Sequence, residues 1–125
     1  MQLIKASMPI VEHGRTEIHL PHWEGLEQQH GFIHGGVVGM IADSAAGYAA
    51  MSVAPANASV LTVEFKINIM APSSGEKLVA CGEVVRQGKT IIVTKAEVFN
   101  ETDGQRTPCA LMQQTIMVLN NRSEK

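Results

Sequence analysis

Residues 34–53 read HGGVVGMIADSAAGYAAMSV, and this stretch decides the fold. It is too long and too rich in alanine and methionine for a strand, and Pro55 lies just beyond its end. The stretch therefore predicts one helix. Its faces are apolar nearly all round, which is typical of a helix enclosed by other structure, and its many glycines and alanines allow other backbones to approach closely.

The segment that follows the helix predicts a strand. In SVLTVEFKINIMA (59–71), apolar and polar residues alternate, which indicates a half-buried strand. The alternation predicts that Leu61 and Val63 face the helix and that Thr62 faces away from it.

The rest of the chain completes a sheet. Three more β-type runs separated by turn residues follow, and they predict four antiparallel strands in meander order. Two runs before the helix add one or two strands. The expected fold class is therefore α+β, with the helix lying across a single antiparallel sheet of five or six strands. The runs are residues 77–86, 90–99 and 110–119 after the helix, and 9–13 and 15–20 before it.

Length and charge restrict the kind of protein. With 125 residues and 13.5 kDa, the chain predicts one domain over residues 1–125. Its net charge is −2 and its basic residues are scattered, so nucleic acid is not an expected partner.

The cysteines and the apolar run bear on the location of the protein. Cys81 and Cys109 form no CxxC pair, which favours a reduced, cytoplasmic protein. Polar and glycine interruptions of the apolar run after His34 argue against a membrane span.

One carboxylate stands out. Between Gln28 and Val63, the only fully charged side chain is Asp43. Burying an ionised acid is unfavourable unless it is paired or hydrogen-bonded, so Asp43 is either satisfied by neighbours such as Ser44 or used in chemistry. A carboxylate enclosed by the fold could activate water or attack a carbonyl itself.

The start of the helix offers a second chemical group. Backbone N–H groups are unpaired at a helix N-terminus, and a glycine allows close approach, so the N–H of Gly35 could stabilise an oxyanion. Asp43 lies eight residues later, roughly 12 Å along the same helix, so one chain cannot bring both groups to one carbonyl. A second copy must supply one of them.

Other chemistries are not favoured. His30 and His34 mimic a metal-binding pair, but no third ligand is evident and no metal or other cofactor is expected. Ser44 lacks the GxSxG pattern of a nucleophile elbow. Core packing is the simpler interpretation of Tyr48, although it could line a binding site.

Three motifs in this order carry a resemblance: GFIHGGVVGMIADSAAGYA (31–49), TVEFKINIMAPSSGE (62–76) and VVRQGKT (84–90). Together they resemble the hotdog-fold thioesterases of the phenylacetate-pathway (PaaI-like) group over roughly residues 26–118. The specific elements are the His-Gly-Gly opening of the helix, an acid eight residues after the first glycine, and a threonine ten residues before a Pro-x-x-Gly turn.

The resemblance implies a hotdog fold and an acyl-CoA thioesterase that works as a homodimer or homotetramer, with its sites at the dimer interface. It implies that Asp43 is the base or nucleophile, that Gly35 binds the oxyanion, and that Thr62 holds the attacking water. A bulge, or a site lined from the partner's side, would reconcile that role with the predicted orientation of Thr62. The amide of Gln28 would orient the thioester or the water.

The coenzyme A contacts are implied less directly. The phosphates need cations, and hairpin turns supply Arg86, Lys89 and Arg106. The remaining expected substrate-binding residues are His34, Gly36 and Tyr48. The alternative from another class is a non-catalytic acyl-thioester binding or sensor module, which would not need Asp43. A hotdog hydratase or dehydratase ranks third.

Overall fold

A computed structural model of the chain describes residues 4–120, in which one helix lies against a six-stranded antiparallel sheet. The predicted α+β fold is confirmed. The helix α1 spans Gly35–Val53, and a short 3-10 turn at Glu24–Leu26 precedes it. The strands are β1 (Ser7–Glu12), β2 (Arg15–Pro21), β3 (Ser59–Ile69), β4 (Lys77–Gln87), β5 (Ile91–Thr102) and β6 (Gln105–Leu119).

The helix begins and ends for local reasons. The carbonyl of His34 accepts the N–H groups of Val37 and Val38, at 3.0 and 3.2 Å, which closes the first turn. At the other end Ala54 is extended (φ −73°, ψ 155°), as a residue before proline should be. The helix boundaries predicted from residues 34–53 are therefore confirmed to within one residue.

One face of α1 packs directly on the sheet. The hydroxyl of Thr16 on β2 donates to the Ala45 carbonyl at 2.6 Å. On β4, a Cβ added at Gly82 would lie 2.2 Å from the same carbonyl oxygen, so only glycine allows this approach. The buried helix residues are Val38, Ile41, Ala42, Ala45, Ala46, Ala49 and Ala50.

The opposite face of α1 is open within the described chain. A Cβ at Gly36, Gly39 or Gly47 would meet no atom within 4 Å. Met40 and Tyr48 on this face are 42% and 39% exposed. The sheet therefore provides the predicted enclosure of the helix on one face only, because a single sheet covers only one side of a helix.

By length and composition alone, α1 is apolar enough to cross a membrane. The buried core helix of a folded domain passes the same test. Here α1 lies against all of the strands, and Val38, Ile41 and Ala45 are completely buried in the core shared with the sheet.

The strand order is β1-β2-β4-β5-β6-β3, so the predicted meander is wrong for β3. β3 pairs with β6, and β4 pairs with β2 and β5. Residues 70–76 do not form a hairpin. They cross the ends of β6 and β5, where the N–H of Met70 donates to Cys109 and that of Glu76 donates to Glu101. Alternation identifies a strand but does not identify its neighbours.

A bulge in β3 determines which residues face the helix. The register with β6 shifts between Thr62 and Glu64, so the alternation changes sides at this point. Thr62 faces α1, whereas Leu61 and Val63 are 56% and 54% exposed on the other side. The predicted orientation of these three residues is therefore wrong, and the extra residue of the bulge is the reason.

Candidate active site

Asp43 lies where the open face of α1 meets β3. Its carboxylate oxygen Oδ1 accepts the hydroxyl of Thr62 at 3.2 Å and the side-chain amide N–H of Gln114 on β6. Ser44, the neighbour suggested by the sequence, makes no hydrogen bond to it in the described chain. The carboxylate is half-buried, and both of its donors come from the sheet. The paired strands β3 and β6 therefore hold the acid of the helix.

The carboxylate opens onto a cavity of about 370 Å³. Thr62 and Asp43 form its polar side, and Tyr48 and Met51 on α1 supply apolar surface. The structure therefore places the predicted Tyr48 beside Asp43, in a site with both a reactive group and space for an apolar ligand.

A second cavity, of about 330 Å³, lies at the start of α1. Gly35, Gln28 and Ile69 are among its lining residues. The N–H groups of Gly35 and Gly36 have no acceptor within residues 4–120, as expected for the first residues of a helix. This end of the helix can therefore donate two hydrogen bonds to a ligand.

Gln28 is held in position by its own turn. Its side-chain oxygen accepts the N–H of His30 at 2.6 Å, and its backbone N–H donates to Phe32 at 2.7 Å. The NH₂ group of Gln28 makes no hydrogen bond within residues 4–120, so it is available to contact a ligand. His34 is exposed and its ring makes no capping hydrogen bond.

Within one chain these two groups remain apart. Gly35 and Asp43 belong to the same helix, roughly 12 Å apart along its axis, and they line different cavities. The structure of a single chain brings Asp43, Thr62 and Tyr48 together, and it brings Gly35 close to Gln28. It does not bring the two sets to one point.

Two of the predicted phosphate-binding cations, Arg86 and Lys89, lie at the other end of the helix from Gly35. The β4–β5 hairpin that carries Arg86 and Lys89 is attached to the end of α1, where Gln87 donates to the Val53 carbonyl at 2.9 Å. That end is opposite Gly35. Both cations are exposed, and neither forms an ion pair within residues 4–120.

Arg106, the third predicted cation, is already engaged. Its guanidinium pairs with Glu101 at 2.9 Å and with Glu17 at 3.2 Å. The hydrogen bond that Arg106 donates to Glu101 raises the pKa of Arg106. The charge of Arg106 is therefore neutralised by the carboxylates of Glu17 and Glu101, and this residue is a poor candidate for binding phosphate.

No group of three His, Cys, Asp or Glu side chains could hold a metal ion in the part of the chain that the structure describes.

Both cysteines are free thiols, and burial raises the pKa of Cys81 and of Cys109. Burial therefore disfavours the thiolate form of both cysteines, which is the nucleophilic form.

Two polar residues near Asp43 were missed by the sequence analysis. Gln114 and Thr94 are buried in the sheet beneath the carboxylate, 1% and 0% exposed. The signal was present in β6, where Gln114 has the same spacing as Met112 and Ile116 and must share their face. A buried amide among apolar residues requires a polar partner.

Comparison with protein families gives the class of the protein. Residues 30–107, more than half of the chain, match the family model described as Thioesterase superfamily. The chain belongs to the thioesterase superfamily. The expected class of enzyme, a thioester hydrolase, is confirmed at the level of this family.

Two relatives of this thioesterase have specific names. Acyl-coenzyme A thioesterase 13 of Mus musculus is 31% identical over 85 residues, which cover 64% of this chain and 60% of the relative. The 1,4-dihydroxy-2-naphthoyl-CoA hydrolase of Listeria monocytogenes is 28% identical over 93 residues, covering 74% and 76%. The chain spans about two thirds of the length of the curated relatives that it matches.

Solved structures show the same fold. A thioesterase family protein from Silicibacter pomeroyi has a TM-score of 0.93 and 41% identity, with 96% of this chain and 88% of that chain covered. The E. coli PaaI protein has a TM-score of 0.85 and 22% identity, with 95% and 83% covered. The predicted hotdog fold is confirmed, the PaaI protein shares this fold, and the predicted resemblance to thioesterases is confirmed at the level of the superfamily.

Proposed function

We propose that this thioesterase hydrolyses acyl-CoA or aryl-CoA thioesters at sites formed between two copies of the chain. The observation that carries the proposal is the placement of Asp43. Its carboxylate is held by Thr62 and Gln114 and opens onto a cavity on the uncovered face of α1. A module that only bound a thioester would have no need of an acid there.

The relatives support coenzyme A as the thiol. The names of the mouse and Listeria proteins both specify a coenzyme A thioester, one with an acyl group and the other with an aromatic one. The apolar surface of Tyr48 and Met51 suits either kind of group. Arg86 and Lys89 are exposed cations that could contact the nucleotide phosphates.

The second copy supplies the other half of the site. The open face of α1 carries Gly36, Gly39 and Gly47, which let another helix approach closely. β3 is an edge strand of the sheet, and Leu61 and Val63 are exposed on its side that faces away from α1. Uncovered apolar surface and an exposed edge strand both favour association across a two-fold axis. We infer that the partner's Gly35 then lies opposite Asp43.

The reaction follows from these positions. The Oδ1 atom of Asp43 is occupied by two donors, which leaves Oδ2 to take a proton. A water molecule that donates one hydrogen to Oδ2 and the other to Thr62 Oγ1 has a lone pair directed at the thioester carbonyl. As water adds, its proton passes to Asp43 and the oxyanion accepts the N–H of the partner's Gly35.

The second step returns the proton. The C–S bond breaks as the carbonyl re-forms, and Asp43 gives its proton to the departing thiolate. The products are a carboxylic acid and free coenzyme A, and the carboxylate is regenerated. Gln28 lies beside Gly35 and can orient the thioester with its NH₂ group.

We place the protein in the cytoplasm because both of its cysteines are free thiols.

The proposal is tested by thiol release from a panel of short, medium, long and aryl acyl-CoAs. We expect kcat/KM of at least about 10⁴ M⁻¹s⁻¹ for the best member, which is the lower end of the range for enzymes on their substrates. Simple alcohol esters of the same acyl groups are the control and should react much more slowly. Binding of acyl-CoA without hydrolysis of any member would contradict the proposal and favour a sensor module.

A further inference from the structure

Gln114 is a buried polar residue with apolar core residues on both sides of it along β6. It lies on β6 between Met112 and Ile116 on the helix-facing side, and it is only 1% exposed. An amide in such surroundings is unfavourable by several kcal/mol unless its hydrogen bonds are made, so a well-packed apolar residue would be the simpler choice. Its presence at this position calls for an explanation by its partners.

Both ends of the amide are bonded. Thr94 lies directly opposite on β5 and is completely buried, and its hydroxyl donates to Gln114 Oε1 at 3.0 Å. At the other end, Nε2 donates to the carboxylate of Asp43 and lies 3.5 Å from the backbone carbonyl of the same residue. The chain of contacts runs from β5 through β6 to α1.

The direction of each bond is fixed by chemistry. An ionised carboxylate only accepts, so the NH₂ group of Gln114 must face Asp43 and the carbonyl must face Thr94. The Thr94 hydroxyl must then donate its proton to that carbonyl. Since Thr62 and Gln114 donate to the same atom, Oδ1, the contacts leave Oδ2 as the oxygen directed to the acyl site.

We propose that Gln114, oriented by the Thr94 hydroxyl, is a positioning residue that fixes which oxygen of Asp43 acts on the substrate. Gln114 is buried behind the carboxylate and does not line the cavity, so it acts only through Asp43. The inference rests on the proposed function, because it assigns a role to a residue that supports the proposed base. It adds two residues of the sheet, Gln114 and Thr94, to the site.

The first test is Gln114→Met, which keeps an unbranched side chain of similar length but removes the amide. We expect kcat for the best acyl-CoA to fall by about 10-fold to 100-fold, the usual effect of losing a hydrogen bond to a charged group. We expect KM to change by less than about threefold, because Gln114 does not contact substrate. A folded variant with kcat within about threefold of the native value would overturn the inference.

Thr94 provides a matched pair that leaves Gln114 in place. Thr94→Val keeps the shape and removes the hydroxyl, whereas Thr94→Ser keeps the hydroxyl and removes a methyl group. We expect Thr94→Val to lower kcat and Thr94→Ser to retain most of it. If both variants lose activity equally, packing rather than hydrogen bonding explains the loss, and the inference fails. This pair also decides the question if Gln114→Met does not fold.

A double variant separates this inference from the proposed function. In an Asp43→Asn background, Gln114→Met should cause no further loss, since Gln114 acts through the carboxylate. A further 10-fold loss in that background would mean that Gln114 acts by another route, and would overturn the inference alone. Full activity of Asp43→Asn by itself would instead overturn the proposed function, and the role of Gln114 with it.

Discussion

Replacing Asp43 with asparagine is expected to lower kcat for acyl-CoA hydrolysis by about 10²-fold to 10⁴-fold, the contribution typical of a general base. In free energy this is roughly 3 to 5 kcal/mol of transition-state stabilisation. Asparagine nearly preserves the volume of aspartate and can still accept hydrogen bonds from Thr62 and Gln114. It cannot take a proton from water, so the loss should appear in kcat far more than in KM.

The measurement is steady-state thiol release by the folded variant, with the melting temperature as the check on folding. Asp103→Asn is the matched control, because it makes the same chemical change in the exposed β5–β6 turn, where asparagine tolerates the positive φ of 54°. It should leave kcat unchanged. An Asp43→Asn variant that is folded and keeps kcat within about threefold of the native value would contradict the assignment of the base.

The final position of an ¹⁸O label distinguishes the two roles open to Asp43, general base and nucleophile. In a single turnover in ¹⁸O-water, a general base places ¹⁸O in the carboxylic acid and leaves Asp43 unlabelled. A nucleophilic Asp43 would form an anhydride, and its hydrolysis can leave ¹⁸O in the aspartate side chain. We expect the first result, because Thr62 can hold a water molecule against the carboxylate.

The second large effect is expected from Gly35→Pro, which removes the proposed oxyanion donor without breaking the helix. Gly35 is the first residue of α1, where proline is favoured because its missing N–H has no intrahelical acceptor. His34 has φ −54° and ψ 137°, the conformation that a residue before proline prefers. We expect kcat to fall by about 10²-fold to 10³-fold, as for the loss of one oxyanion donor.

Gly35→Ala is the control for this variant, because it adds a Cβ but keeps the N–H. At either substitution the new Cβ would lie 3.2 Å from the end of the Ile69 side chain, which can move slightly to accommodate it. The alanine variant should therefore keep most of its activity. Equal losses in the two variants would show that crowding, and not the missing donor, lowers the rate, and would contradict the role of the N–H.

The helix could be predicted from sequence because its signals are local. Composition marks residues 34–53 as helix, and Pro55 fixes where it must end, so the structure agrees to within one residue. The acid and the glycines also stand out locally. Asp43 is conspicuous as the only fully charged residue in a long apolar stretch, and Gly35 as the first residue of the helix.

Two predictions were wrong, the meander order of the strands and the orientation of Thr62, because the sequence of a single strand determines neither its neighbours nor its bulges. The bulge after Thr62 adds a residue without changing the composition of β3, so the alternation gave the wrong face for Thr62. The pairing of β3 with β6 depends on where residues 70–76 cross the sheet. Gln114 is different, since its spacing from Met112 predicts that it faces the core, and a polar side chain at a core position indicates a buried hydrogen-bond partner.

The central claim is that each site takes Asp43 from one chain and Gly35 from another, and subunit complementation tests it most directly. Asp43→Asn and Gly35→Pro chains carrying different affinity tags are co-expressed, and the mixed dimers are purified through both tags. One of the two sites then has both native residues, so we predict recovery to about half of the native kcat, as two-fold symmetry requires. Mixed dimers no more active than the better of the two parent variants would contradict the shared site.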